Sequence, residues 1–576
     1  MKHAVALIAA PLLLAPLAAL HAAEPPVQRE FTIAKRYLHL PVKNGATPRR
    51  IRFVVDGKQV REFMIEIAEG VPDLLVAAEV EDWKGKKLKV ELYGATDPKI
   101  LDGIVPADEV PGAKTLYRET YRPQFHFTPR WGWVGDPNGL VFYRGEYHLF
   151  FQYNPYGTMW GNMSWGHAVS RDLVHWEELP VALYPPRIGD YIFSGSAVVD
   201  FQNSSGLKSG EHDPIVIAFP STGRGLCLAV STDGGKTVHE VPGNPLVKAP
   251  GGDPRVFWHE PAKKWVKISC KILKTAPDAP AGSPGWVEKA SCGFIFSSST
   301  DLKTWETNSL LEDCWECPDL FELPLDGNPA QRIWVLMPNQ VPSLGKNRGG
   351  RYRLGSFDGR EFKPSTEYFK FNHGNAYGAA QSYNNIPASD GRRINVGCAF
   401  NTRMPGMHFQ QMMNFPTELT LRATPEGPRL YAWPVREMET LYDKTSRIEP
   451  IALKAEGSVL PGVEAGELDL SAEFEIGSVT TELGIVVRGF PVWFDVRSNM
   501  LRCLNQFAPL ESERGKIKLR LLIDRVSIEI FANDGRVYMP MCNVLPKKDD
   551  RSVTVYAKGG DARLVSMTVH TLKSAW

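Results

Sequence analysis

Apolar and polar residues alternate along most of this chain with the period of two that half-buried β-strands require, and no stretch keeps a helical period. Between residues 24 and about 115 the runs Arg50-Ile-Arg-Phe-Val-Val-Asp56, Arg61-Glu-Phe-Met-Ile-Glu-Ile67 and Lys87-Leu-Lys-Val-Glu-Leu-Tyr93 are separated by turn residues, which predicts a small antiparallel β-sandwich. Beyond about residue 443 the alternation returns, clearest in Ile517-Lys-Leu-Arg-Leu-Leu-Ile-Asp-Arg-Val-Ser-Ile-Glu-Ile-Phe531 and Ser552-Val-Thr-Val-Tyr556, and predicts a second sandwich over 443–576. From 116 to 442 a looser repeat takes over. Ser170-Arg-Asp172-Leu-Val-His-Trp176 recurs as Ser299-Thr-Asp301-Leu-Lys-Thr-Trp305, with weaker copies at Ser231-Thr-Asp233 and Ser356-Phe-Asp358. Each copy follows an apolar strand such as Cys227–Val230 or Cys292–Ser297. One aspartate turn and several strands per repeat describe the blades of a β-propeller around an axial pocket, so the reading is all-β and these aspartates are turn-formers.

The first 23 residues depart from that pattern. Lys2 and His3 lead an apolar run, Ala4–Leu20, interrupted by Pro11 and Pro16 and followed by Ala22 and Ala23. That is the form of a cleavable export signal and too broken for a membrane span, so no membrane insertion is expected and the mature protein is placed in the periplasm or outside the cell. No cysteine precedes Cys227, which excludes a lipid anchor at the cleavage site. The eight cysteines are thinly spread, and buried thiols or one optional disulfide account for them.

Charge narrows the partners. With 66 basic and 65 acidic residues the net charge is +1, which offers no field for nucleic acid and suits a neutral ligand. Aromatics make up 10% of the chain, including 15 Trp, and such rings stack on the apolar faces of sugars. The oligomeric state is not legible.

Three acidic stretches in the middle region carry the candidate chemistry. Trp131-Gly-Trp133-Val-Gly-Asp136-Pro-Asn138-Gly-Leu140 sets one carboxylate between indoles and a Pro-Asn-Gly turn, ahead of an alternating strand over Val141–Phe151. Gly251-Gly-Asp253-Pro-Arg255-Val-Phe-Trp258 and Cys314-Trp-Glu316-Cys-Pro-Asp-Leu-Phe321 supply two more, in different repeats. Inner strands of different blades meet at one axis, so wide spacing along the chain permits convergence. Cleaving a glycosidic bond needs a nucleophile or base and a proton donor, and gains from a group that holds sugar hydroxyls as positive charge develops. Glu316, on a longer stem and desolvated by Trp315 and its cysteine neighbours, is the donor candidate.

Taken together, Trp133-Val-Gly-Asp136-Pro-Asn138-Gly, Gln152-Tyr-Asn-Pro-Tyr-Gly-Thr-Met-Trp160-Gly, Phe193-Ser194-Gly-Ser196, Asp253-Pro-Arg255-Val-Phe-Trp258 and Glu316-Cys-Pro-Asp-Leu-Phe321 resemble, in order, the signatures of glycoside hydrolase family 32, the invertases, inulinases and levanases. The resemblance covers roughly residues 120–440 and extends through Asp524-Arg-Val-Ser-Ile-Glu-Ile-Phe-Ala-Asn-Asp534-Gly into the second sandwich, while the leading sandwich looks like the extra module of some bacterial members. It implies a five-bladed propeller flanked by an N-terminal and a C-terminal β-sandwich, with fructan or sucrose as substrate and no metal or other cofactor. It also implies a retaining mechanism: Asp136 as nucleophile, Glu316 as acid and base, Asp253 as stabiliser of the transition state. Trp133, Asn138, Gln152, Trp160, Phe193, Ser194 and Arg255 would contact the sugar.

Two departures stand out. The family usually carries Asn where this chain has Gly135 and Arg where it has Gly252, and both are polar groups expected near the sugar or a carboxylate. Arg255, His373 or Arg403 are candidates to substitute. Two readings therefore stand beside a β-fructosidase: an arabinan-type furanosidase on a similar propeller, and a carbohydrate-binding propeller weakened in turnover.

Overall fold

The computed structural model describes residues 25–576 except 249–250, 275–290, 345–349, 461–462, 465 and 546–549; the export signal expected over 1–23 lies outside the described residues. Strands dominate, and every helical element among the described residues is a short 3₁₀ turn. No described helix is long and apolar enough to cross a bilayer.

The N-terminal sandwich packs a four-stranded sheet, in the order Val27–Thr32, Lys87–Leu92, Arg49–Val55, Lys58–Ile65, against a three-stranded one of Leu74–Glu79, Tyr37–Val42 and Val105–Ala107. Period-two patterning does its work here: Ile51, Phe53 and Val55 point inward while their neighbours face out. The C-terminal domain is a larger sandwich of a seven-stranded and a six-stranded sheet, with Leu470, Phe474, Ile485, Leu521 and Ile530 in its core.

Between them lie five blades. Their inner strands are Gly132–Tyr143, Ser196–Val199, Gly252–His259, Asp319–Leu325 and the short Gln381–Ser382. The repeated aspartates close turns at the blade edges: Asp172 accepts from Ser170 Oγ and from the backbone of Val174 and His175, and Asp301 repeats this with Ser299, Lys303 and Thr304. Asn384 ties the ring at its axis, its amide donating to the carbonyls of Ala197 and Val256 while its backbone exchanges bonds with Leu140 and Phe142. Blade five meets blade one through Phe409–Gln410, which runs parallel to Gly132–Trp133.

One local expectation is corrected. Val141–Phe151 is not a single strand but the end of a hairpin: Gly132–Tyr143 and Glu146–Asn154 pair antiparallel, and Arg144 and Gly145, both at positive φ (47° and 89°), make the two-residue turn. Two left-handed residues in succession suit the twist of a tight hairpin, and an alternating pattern alone does not reveal them.

The domains interlock. Trp131 and Tyr156 of the propeller sit in the core of the N-terminal sandwich, and Phe63 stacks on Tyr156 with centroids 3.6 Å apart. On the other side Asp524, fully buried, accepts from the backbone of Gln124, Phe125 and His126. The His126 ring lies between Asp524 (2.8 Å) and Glu529 (3.2 Å). Burial alone would lower the pKa of that imidazole, but its bonds to the two carboxylates win and raise it to about 9.

Candidate active site

Strands of three blades bring Asp136, Asp253 and Glu316 to the wall of one open cavity of about 860 Å³. None of the three sits in ordinary strand geometry. Asp136 lies inside Gly132–Tyr143, not at a turn, and register shifts between Val134 and Pro137 and between Asn138 and Val141 make that strand bulge. A bulge re-aims a side chain that regular alternation would send elsewhere. Asp253 (φ 45°) opens the inner strand of blade three beside another shift, between Gly252 and Arg255. Glu316 (φ 56°) and Cys317 (φ 40°) lie just ahead of the inner strand of blade four. Left-handed backbone at non-glycine residues costs about 1 kcal/mol each or more and persists where the surroundings enforce it.

Each carboxylate is held by its neighbours. Ser194 Oγ donates to Asp136 Oδ2 at 2.5 Å. Behind it the buried Asn138 amide, in the orientation that satisfies both its ends, donates to Ser194 Oγ at 3.3 Å and accepts from Gln152 N at 3.2 Å. Glu316 Oε2 accepts from Gln340 Nε2 at 2.7 Å and Asn339 Nδ2 at 3.1 Å. Asp253 Oδ2 accepts from Cys317 N at 3.1 Å, and the Cys317 thiol lies 3.7 Å from Asp136 and 3.9 Å from Asp253. Burial, followed by the charges of Glu316 and Asp136, pushes the Asp253 carboxyl up to about 7. All eight cysteines are buried, and two of them, Cys270 and Cys317, line this site.

Eight of the ten sequence-predicted site residues line the cavity: Asp136, Asp253 and Glu316 with Trp133, Gln152, Trp160, Phe193 and Ser194. Two do not. Asn138 is buried behind Ser194 and reaches the cavity only through it. Arg255, 1% exposed, faces Asp319 at 2.9 Å, because the register shift that turns Asp253 to the cavity leaves Arg255 in the packing between blades. His373 and Arg403 are not on the wall either, and burial lowers the His373 imidazole to about 4.

Among the described residues, the cations that line the cavity are Arg351 and Lys370, paired across two strands of blade four. Asn339, Asn372, Asn375, Tyr377, Phe400 and Gln411 complete much of the wall, and Gln506 reaches it from the C-terminal sandwich. A polar run near 372–377 was the one available signal for this side; Arg351 and Gln506 sit in strands with ordinary alternation and carried none.

At Gly135 and Gly252, neighbouring side chains fill the space that a side chain would take. A Cβ on Gly135 would lie 2.4 Å and 2.8 Å from ring atoms of Trp133, whose indole covers that position. Gln411 holds the indole there, accepting from Trp133 Nε1 at 3.2 Å and donating to the Val134 carbonyl at 2.9 Å in its satisfied orientation. A Cβ on Gly252 would lie 2.9 Å from Cys270 Sγ, and that thiol stands 3.6 Å from Asp253 Oδ2.

Residues 126–434 match the glycosyl hydrolases family 32 N-terminal domain and residues 437–571 the glycosyl hydrolases family 32 C-terminal domain. Over 509 residues the chain is 37% identical to a levanase of Bacillus subtilis (strain 168), covering 80% of this chain and 72% of that protein. It is 29% identical over 544 residues to an extracellular exo-inulinase of Aspergillus ficuum, covering 80% of this chain and 96% of that protein. The crystal structure of an exo-inulinase from Aspergillus awamori aligns at a TM-score of 0.69 and 26% identity, covering 80% of this chain and all of that one. Both family matches begin after the N-terminal sandwich.

Proposed function

The chain belongs to glycosyl hydrolase family 32, and from that premise we propose that it releases terminal fructose from β-fructofuranosides such as levan, inulin and sucrose by a retaining double displacement. The observation that carries the reading is the convergence of Asp136, Asp253 and Glu316 from three blades on one open, aromatic-walled cavity. Asp136, pinned by Ser194, attacks the anomeric carbon of the fructosyl unit, while Glu316 passes its proton to the departing oxygen. Glu316 then takes a proton from the water that breaks the fructosyl-enzyme bond. Asp253 grips ring hydroxyls, and Gln152 adds on the same wall a buried side-chain oxygen with no hydrogen-bond partner among the described residues. The relatives named above, a levanase and two exo-inulinases, support fructan as the substrate class. The apolar leader over residues 1–23 and the extracellular relative support export.

The test is fructose release from levan, inulin and sucrose by the wild type, Asp136→Asn and Glu316→Gln. Release by the wild type and loss in both variants supports hydrolysis; binding of levan with no release by the wild type identifies a carbohydrate-binding propeller instead. Mass spectrometry of enzyme denatured during turnover tests retention through one added fructosyl unit on the peptide containing Asp136.

A further inference from the structure

On one side the cavity mouth is an aromatic wall. Trp160, 43% exposed, meets Tyr191 edge-on at 5.2 Å and approaches Phe193 at 6.4 Å, and Tyr191 stacks on Phe193 at 5.8 Å. Two loops carry these rings, one joining Glu146–Asn154 to Ser164–Ser170 and one leading into the inner strand of blade two. A single N-terminal strand, Lys58–Ile65, holds both. Met64 binds Asn162 as a strand neighbour would, its N–H donating to Asn162 Oδ1 at 2.9 Å and its carbonyl accepting from Asn162 Nδ2 at 2.8 Å. Asn162 (φ 45°) in turn donates to Asn154 Oδ1, whose own amide donates to Met159 O beside Trp160. Phe63 stacks on Tyr156 of the same loop. Glu62 accepts from Ile188 N of the second loop, Gln59 donates to Pro186 O, and the Arg61 guanidinium lies over the Tyr184 ring at 3.9 Å.

These contacts go to the two loops rather than to the blade sheets. We propose that the N-terminal sandwich is a specificity brace: through Glu62, Phe63 and Met64 it fixes the Trp160–Tyr191–Phe193 wall and so sets the affinity for the sugar ring that follows the terminal fructose. The assignment of that ring rests on the fructosidase reading. The acids lie half-buried on the wall, whereas Trp160 stands at the exposed mouth, where the part of the substrate beyond the fructosyl unit passes. Aromatic faces there stack on that ring, and an ordered wall binds it without first losing the freedom of two loops.

The experiment compares Asn162→Ala and Phe63→Ala with the wild type on a β-2,6-linked fructose trisaccharide and on fructosyl fluoride, which has no second sugar. Leu88→Ala, in the N-terminal core and away from the loops, is the control for general loosening of the domain. The brace predicts a KM for the trisaccharide about tenfold higher in both loop variants, with kcat and the fluoride kcat/KM within about twofold of wild type. An unchanged KM in both, an equal loss on the fluoride, or the same KM rise in Leu88→Ala overturns it. Should the wild type release no fructose, the hydrolytic reading fails, and calorimetric titration with the same trisaccharide still reads the brace: about tenfold weaker binding in both loop variants supports it and equal affinity overturns it.

Discussion

Ser194 Oγ and Asp136 Oδ2 are 2.5 Å apart, and because Asn138 donates to the same hydroxyl, the serine proton is directed at the carboxylate. The bond fixes the direction of the attacking oxygen. A hydrogen bond to a charged group contributes about 1.5–3 kcal/mol, so Ser194→Ala is expected to lower kcat/KM on sucrose roughly tenfold to a hundredfold, with little change in thermal midpoint. Steady-state kinetics and a melting curve on the same preparation check this.

Asp253 makes the fold less stable in alkaline solution. Its carboxyl titrates near 7 in the folded chain, above the ordinary value, so the native state binds that proton more tightly than the unfolded one. The stability this contributes is complete below about pH 4 and is lost as pH rises through 7. Asp253→Asn abolishes the loss while its side-chain oxygen still accepts from Cys317, and is expected to gain roughly 2 kcal/mol at pH 8 and nothing at pH 4. Denaturant titrations at the two pH values measure it, and fructose release should fall at least about a hundredfold.

Glu316 and Asp136 are separable by leaving group. Fluoride departs without a proton, so Glu316→Gln is expected to keep the first chemical step on fructosyl fluoride within about tenfold of wild type while losing at least about a hundredfold on sucrose. Asp136→Asn should lose both. Stopped-flow detection of fluoride release reads the first step directly.

His126 links the C-terminal sandwich to the propeller as a charged group. Its folded pKa of about 9 exceeds the unfolded value near 6.5, so its contribution is complete below 6.5 and disappears as pH rises through 9. His126→Gln is expected to cost about 2 kcal/mol or more at pH 6 and to flatten the decline in stability between pH 7 and 10. Thermal unfolding across that range measures both.

Much of this architecture is legible in the alternation of residues such as Ile51, Phe53 and Val55, because sandwich strands bury one face and period two survives in the sequence. That Asp136, Asp253 and Glu316 share one cavity was legible as well, since each keeps a distinctive local run. What escaped was geometry that breaks the period. The bulges that aim Asp136 and withdraw Arg255 leave no trace in an apolar count, and the Arg144-Gly145 turn hid inside an alternating stretch. Arg351, Lys370 and Gln506 escaped for another reason: they reach the cavity through blade four and the second sandwich, and only the tertiary fold puts them on the same cavity wall as Asp136.

The join between Phe409–Gln410 and Gly132–Trp133 falls on the strand that bears Asp136. The ring is thus fastened at its working edge, by this two-residue pairing on one side of Asp136 and by the Asn384 backbone on Leu140 and Phe142 on the other. Fraying there disarms the nucleophile while the remaining blades still stand, so catalytic silence on heating should precede any fading of the β-sheet signal.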